Sequence, residues 1–281
     1  MQIEEIEGIK YQKPTVRLLA QTGIGVSEIA ARTCYDSFSN SENEFVKKLE
    51  TSLPDEEMLN NINNMEESQL LDDLAWTYFH HSILEHTNLS FLIKGTSRGV
   101  LQEHARHRIQ AISVRSTRYT MSNVINAFVA SLEDENPKEF FIKKVNSFDM
   151  FVTTDKEYNN LEIGCMFEKL NYQKSKMEDF YTKAVAKSSL EFLEKFKNKS
   201  DKLFEALQNG KKKRNVGDAF KHIVTDNWKV DMVVTFNLRS LKNYFSLRDS
   251  GAAYFQIQWL AKEMKKVTPK KYLKLITKSE K

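Results

Sequence analysis

Residues 87–95 read TNLSFLIKG, and residues 228–237 read WKVDMVVTFN. In both, apolar side chains fall on every second position: Leu89, Phe91 and Ile93 in the first, Val230, Met232, Val234 and Phe236 in the second. A period of two marks a β-strand with one face in a core. Each run is followed by a helical pattern. Thr96 or Ser97 can cap a helix that passes through Val100 and Leu101 into Arg106–Arg108, and the segment from Ser240 to Val267 gives two helices separated near Gly251.

Further out, residues 14–35 read as a strand or loop entering a helix, with SEIAARTCY supplying its start. Residues 39–70 are polar and predict surface helix and loops. Leu70, Leu71, Leu74, Tyr78 and Phe79 recur at helical spacing between Met65 and about His81. The stretch SVRSTRYT, 113–120, has no helical period and reads as loop. From about 133 to 210 the chain holds neither arginine nor histidine and predicts amphipathic helices, of which 175–198 is the clearest. Phe140, Phe141, Phe148 and Phe151 there are read as core or subunit-contact residues. The run Lys211–Arg214 follows Gly210 and reads as a solvated turn. No internal repeat and no interdomain linker is evident.

Composition narrows the class. The chain has 281 residues, 41% hydrophobic and 28% charged, with a net charge of +4, too mild for a nucleic-acid coat protein. Its two cysteines, Cys34 and Cys165, form no paired motif, which fits a reducing compartment and disfavours structural zinc. The acidic N-terminus lacks an apolar core, so no signal peptide is expected, and no apolar run is long enough to span a bilayer. A cytoplasmic protein is expected.

Charge type is unevenly spread. Lysine outnumbers arginine 32 to 10, yet Arg98, Arg106, Arg108, Arg115 and Arg118 fall within one short region. His80, His81, His86, His104 and His107 are five of the six histidines. Unlike an ammonium, a guanidinium is a planar fork that grips phosphate or carboxylate at two points and stacks on flat rings. Interleaved with Ser113, Ser116 and Thr117, these arginines could cradle a flat phosphorylated ligand such as a nucleotide; surface salt bridges fit the pattern equally. The histidines lack the spacing of two ligands on one helical turn, so no metal is assigned. Glycine-rich dinucleotide and P-loop motifs are absent.

The sequence RHR at 106–108, seven residues, then Ser116 and TRY resembles the RHR-x7-S signature of the flavin-dependent thymidylate synthases. HHSILEH (80–86) resembles that family's H-x-T-P-x-E-H segment, with Ser82 for the threonine. ARTCY (31–35) resembles its A-R-x-S stretch, and FNLRSLKNYFSLR (236–248) its N-x-R-S-L-x-N-F-x-x-L-R segment. These matches cover about 14–36, 72–120 and 215–262, leaving 121–214 as a helical insert. The resemblance implies an α/β (α+β) fold: one domain over 1–281 with a central, mostly antiparallel sheet flanked by helices, assembled as a homotetramer. It implies conversion of dUMP to dTMP, with methylenetetrahydrofolate giving the carbon, FAD the hydride, and NADPH reducing the flavin. Neither nucleic acid nor a membrane is a partner in this reading.

Carried over by position, the resemblance puts Arg106, His107, Arg108, Ser82, Asn237, Arg239 and Asn243 on FAD, with His80 beside it. Arg115, Ser116, Thr117 and Arg118 hold the substrate phosphate, helped by Lys221. Gln102, Glu103 and Arg106 reach the nucleotide, and Arg248 faces the uracil as the catalytic group. Several positions depart from the family: Ser113-Val114 replaces an Asn-Glu pair, Gln102-Glu103 replaces Arg-Gln, and Lys221 replaces an arginine fork by a point charge. Neither cysteine lies in a nucleophile motif, and no base is suggested beside Ser116, which is read as a phosphate ligand.

Overall fold

The computed structural model describes residues 2–185 and 221–277. It separates into two compact units, one of Met1–Gln12 with Arg115–Lys229, the other of Lys13–Val114 with Val230–Lys281. The chain opens with an antiparallel hairpin, β1 (Ile3–Ile6) and β2 (Ile9–Gln12), in the first unit. The second unit then begins with β3 (Thr15–Gln21) and helices α1 (Gly25–Tyr35), α2 (Glu44–Lys48), α3 (Glu56–Asn63) and α4 (Gln69–Trp76). It continues with β4 (Asn88–Ser97), α5 (Arg98–His104) and β5 (Ala111–Val114). Helices α6 (Thr117–Ser131), α7 (Pro137–Asn146) and α8 (Lys156–Val185) belong to the first unit. Then β6 (Lys229–Asn237), α9 (Leu238–Arg248), α10 (Phe255–Val267) and α11 (Lys270–Ile276) complete the second.

The two alternating runs are the middle strands of a four-stranded sheet in the order β3-β4-β6-β5. Leu89, Phe91 and Ile93 are fully buried, as are Val234 and Phe236, and Val230 and Met232 nearly so. β3 pairs antiparallel with β4, Val16 opposite Ile93, and β5 antiparallel with β6, Ile112 opposite Val234. Between the middle strands, the Ser90 and Thr235 hydroxyls meet at 2.7 Å, and Gly95 N, further along β4, donates to Asp231 Oδ1, further back along β6, at 2.9 Å. They too run in opposite directions. The sheet's apolar face packs with Leu71, Leu74, Leu241, Tyr244, Leu260 and Tyr272 from the helices into one core.

Both middle strands pass into a helix through a single capping residue. Ser97 Oγ accepts from Val100 N at 3.1 Å to start α5, and Asn237 Oδ1 accepts from Ser240 N at 2.8 Å to start α9. Ser97, rather than Thr96, is the cap. The close corner between β3 and α1 requires glycine: a Cβ on Gly23 or Gly25 would overlap the carbonyls of Asn63 and Ile62.

Three expectations change. The helix from Met65 to His81 shortens to α4, which Ser68 caps. Tyr78 N and His80 N turn back to Asp73 O and Leu74 O, and Phe79 takes a left-handed φ of +57°, the wrap that closes a helix end. The helix expected to reach Arg106–Arg108 stops at His104. The loop expected at 113–120 instead ends β5 and starts α6, because pairing with β6 overrides a weak local pattern.

The first unit has its own core, where the rings of Phe128, Phe141 and Phe167 lie 5.5–6.1 Å apart. Phe151 is buried there too, while Phe140 and Phe148 are half-buried. The remainder of the 175–198 helix beyond Val185, and Lys211–Arg214, lie outside the described residues.

Candidate functional site

The RHR segment leaves the end of α5 and runs beside α9. Between them is an open cavity of about 850 Å³, within the usual range for small-molecule sites. Arg106, His107 and Arg108 line it from the segment, and Arg239, Asn243 and Arg248 line it from α9. Six of the residues singled out from the sequence therefore share one wall-to-wall space. The cavity adds Ile109 and, from within the two quoted motifs, His81, Ser240, Lys242, Ser246 and Leu247, to which the resemblance gives no role. Helical spacing carried part of that signal: Arg239, Asn243 and Ser246 recur at three and four residues, so their shared face presents Lys242 as well.

Arg248 is held at every nitrogen of its guanidinium. Its Nε donates to His107 Nε2 at 2.9 Å, Nη1 to Glu103 Oε2 at 2.7 Å, and Nη2 to the Glu103 carbonyl at 3.2 Å. Glu103 also lies 3.7 Å from Arg106 through Oε1. Glu103 is thus the countercharge of Arg248. A guanidinium can only donate, so His107 accepts at Nε2 and carries its proton on Nδ1 as a neutral imidazole. Its pKa agrees: burial lowers it to about 4, assisted by the positive charges of Arg248 and Arg106 and opposed by Glu103.

Behind this layer His104 is fully buried, its Nδ1 3.1 Å from the Tyr244 hydroxyl. Burial lowers its pKa to about 4, against a raising hydrogen bond from Gln110. A histidine held neutral in the fold and free to charge when unfolded stabilises above its unfolded pKa, and that stability is lost as pH falls toward the folded one. Between pH 6.5 and 4, His104 is expected to cost the native state about 3 kcal/mol. Urea denaturation at pH 7.5 and 4.5 checks this: His104→Leu should show a smaller acid loss than the parent, and equal losses refute it.

Lys242 is fixed by its surroundings. Its Nζ sits 3.6 Å above the Trp76 ring centre, 3.1 Å from the Ala75 carbonyl and 3.0 Å from His81 Nε2. Arg239 pairs with Glu85 of the HHSILEH segment across an exposed surface. His80 stands outside the cavity lining; its Nδ1 meets the Tyr35 hydroxyl at 2.6 Å, with the rings nearly parallel at 16°. Ser82 and Gln102 are exposed and also outside the lining, and Asn237 commits its Oδ1 to capping α9.

The remaining candidates belong to the first unit. Arg115 and Ser116, both exposed, immediately precede α6; Thr117 begins it and is buried, and Arg118 follows within it. The start of a 15-residue helix carries the positive end of its dipole, which favours an anion. Lys221 is exposed on a short 3₁₀ turn. Among the described residues no group of three or more His, Cys, Asp or Glu could hold a metal ion.

Comparison with known proteins agrees with the motifs. The family model described as thymidylate synthase complementing protein matches residues 17–272, and so runs through 121–214 as well. A flavin-dependent thymidylate synthase of Wolinella succinogenes is 28% identical over 258 residues, 92% of this chain and 95% of that one. One of Helicobacter pylori is 28% identical over 245 residues, 86% of this chain and 88% of the other. In fold, the chain is similar to the crystal structure of thymidylate synthase X from Helicobacter pylori with FAD and dUMP, at a TM-score of 0.58 and 23% identity, covering 94% of this chain and 97% of that one.

Proposed function

This chain belongs to the thymidylate synthase complementing protein family, that of the flavin-dependent thymidylate synthases, and on that footing we propose that it converts dUMP to dTMP at the cavity between the RHR segment and α9. Methylenetetrahydrofolate gives the carbon, and FAD, reduced by NADPH, supplies the hydride when bound. The observation that carries the proposal is Arg248, a half-buried guanidinium aligned by two partners at the wall of an arginine-lined cavity.

The cavity suits FAD. Arg106, Arg108, Arg239 and Lys242 offer positive charge to a pyrophosphate, while Ile109 and Leu247 leave apolar surface exposed, 68% and 52%, for a flat ring. We assign FAD to Arg106, His107, Arg108, Arg239 and Asn243. His80, Ser82 and Asn237 complete its site in the homotetramer we propose, where subunits share residues. The nucleotide phosphate is assigned to Arg115, Ser116, Thr117 and Arg118 at the start of α6, with Lys221. Gln102, Glu103 and Arg106 hold the remainder of the nucleotide.

What Arg248 does follows from its geometry. Of five N–H donors, three are engaged with Glu103 and His107; the other two have no partner among the described residues and can meet an oxygen of the uracil. Their direction is set before the substrate arrives, which is the condition for stabilising charge that develops on the ring. No thiolate is needed. Cys34 and Cys165 are exposed and neither lines the cavity. No described helix is long and apolar enough to cross a membrane, and we place the enzyme in the cytoplasm.

The purified protein is expected to be yellow, or to become so with added FAD, and to form dTMP from dUMP, methylenetetrahydrofolate and NADPH under anaerobic conditions. Product is separated by chromatography. A colourless protein that takes up no added FAD sinks the proposal.

A further inference from the structure

We propose that His104 and Tyr244 form a buried brace that positions His107 and Arg248 for the reaction, an inference that rests on the reading of the cavity given above. Neither residue lines the cavity, and neither belongs to the flavin or nucleotide ligands. Both are fully buried.

The brace touches both walls. Tyr244 lies one helical turn before Arg248, on the same face of α9. Its ring meets the His107 ring edge-on, with centroids 4.7 Å apart and planes at 65°, and Phe236 of β6 backs it at 5.3 Å. His107 in turn accepts the Arg248 Nε–H at 2.9 Å. From the other side, the His104 carbonyl accepts from His107 N at 3.1 Å and from Gln110 Nε2 at 3.0 Å, so the whole RHR turn is tied around His104. The contact between the Tyr244 hydroxyl and His104 Nδ1, 3.1 Å, joins the two halves.

A purely structural role does not require this chemistry. A hydroxyl and an imidazole inside an apolar core gain little net stability from each other, and an apolar pair of similar shape can replace both nearly neutrally. What such a pair lacks is direction. One hydrogen bond fixes the tilt of the Tyr244 ring relative to His104, and the His107 ring rests on it. His107 then presents Nε2 to Arg248 in a single orientation.

The test compares the parent holoenzyme with Tyr244→Phe and with the double variant His104→Leu/Tyr244→Phe. Four quantities are read: thermal midpoint, visible circular dichroism of the bound flavin, kcat, and KM for dUMP. The double variant is expected to melt near the parent, to show altered flavin dichroism, and to lose about ten- to a hundred-fold in kcat through misplacement of the reacting geometry, with KM unchanged. Tyr244→Phe deletes one oxygen, keeps the ring, and should lose kcat with the same dichroism change. Parent-like kcat in either folded variant overturns the brace. So does a lower kcat with a lower melting point and unaltered dichroism, the mark of general loosening. Should the double variant fail to fold, Tyr244→Phe alone decides on the same criteria. A parent that neither binds FAD nor makes dTMP sinks the reading of the cavity, whereas a working parent with working variants sinks only the brace.

Discussion

Replacing Arg248 with alanine is expected to lower kcat by about 10²–10³-fold, the usual loss for one preorganised charge-stabilising contact, while the purified protein keeps its flavin absorbance. The two effects separate because Arg106, Arg108 and Arg239 also line the cavity and remain to hold the cofactor. The substitution also leaves Glu103 without its close countercharge at 2.7 Å, so a carboxylate would face the nucleotide. That repulsion adds to the loss and should appear as a raised KM for dUMP. Arg248→Lys is expected to fail nearly as badly, since one ammonium cannot reach His107 Nε2, Glu103 Oε2 and the Glu103 carbonyl together. Single-turnover and steady-state assays with the flavin spectrum recorded alongside decide the matter; turnover within a few fold of the parent would falsify the assignment.

The second large effect concerns the cofactor. Arg108→Ala combined with Arg239→Ala should weaken FAD binding by on the order of 10²–10⁴-fold, since each charged hydrogen bond to a phosphate contributes about 1.5–3 kcal/mol. The fold should tolerate both changes. Arg108 is exposed, and the partner that Arg239 loses is Glu85 in a pair whose side chains are 54% and 44% exposed, a kind of contact that adds about 1 kcal/mol or less. Titration of the apoprotein by quenching of flavin fluorescence measures the change. An affinity equal to the parent's removes these arginines from the FAD site.

Much of this arrangement could be read from residue order alone, and the reason is local. Leu89, Phe91 and Ile93, or Val230 through Phe236, declare their faces by alternation, and those faces are the core. Ser97 declares a helix start by its side chain. The RHR segment and the arginine of α9 declare their chemistry by type, and they meet at one cavity. What stayed hidden depends on partners far away in the chain. β5 is a strand only because β6 lies beside it. Glu103 reads only as a departure from the family pattern, because the residue it bonds, Arg248, lies far along the chain. His104 and Tyr244 each read as a core residue, and nothing in either neighbourhood announces the other. His81 rather than His80 lines the cavity because α4 stops at Trp76, and the turn that follows decides which imidazole faces inward.

The single-residue junctions at Ser97 and Asn237 have a mechanical consequence. With no slack between sheet and helix, α5 and α9 cannot swing as lids, and the Arg248 anchor inherits the stiffness of the central strands. Among the elements that line the cavity, the short span from Ala105 to Gln110 is the one outside helix and strand, and its ties are the His104 carbonyl, the Arg248 contact of His107 and the His107 ring against Tyr244.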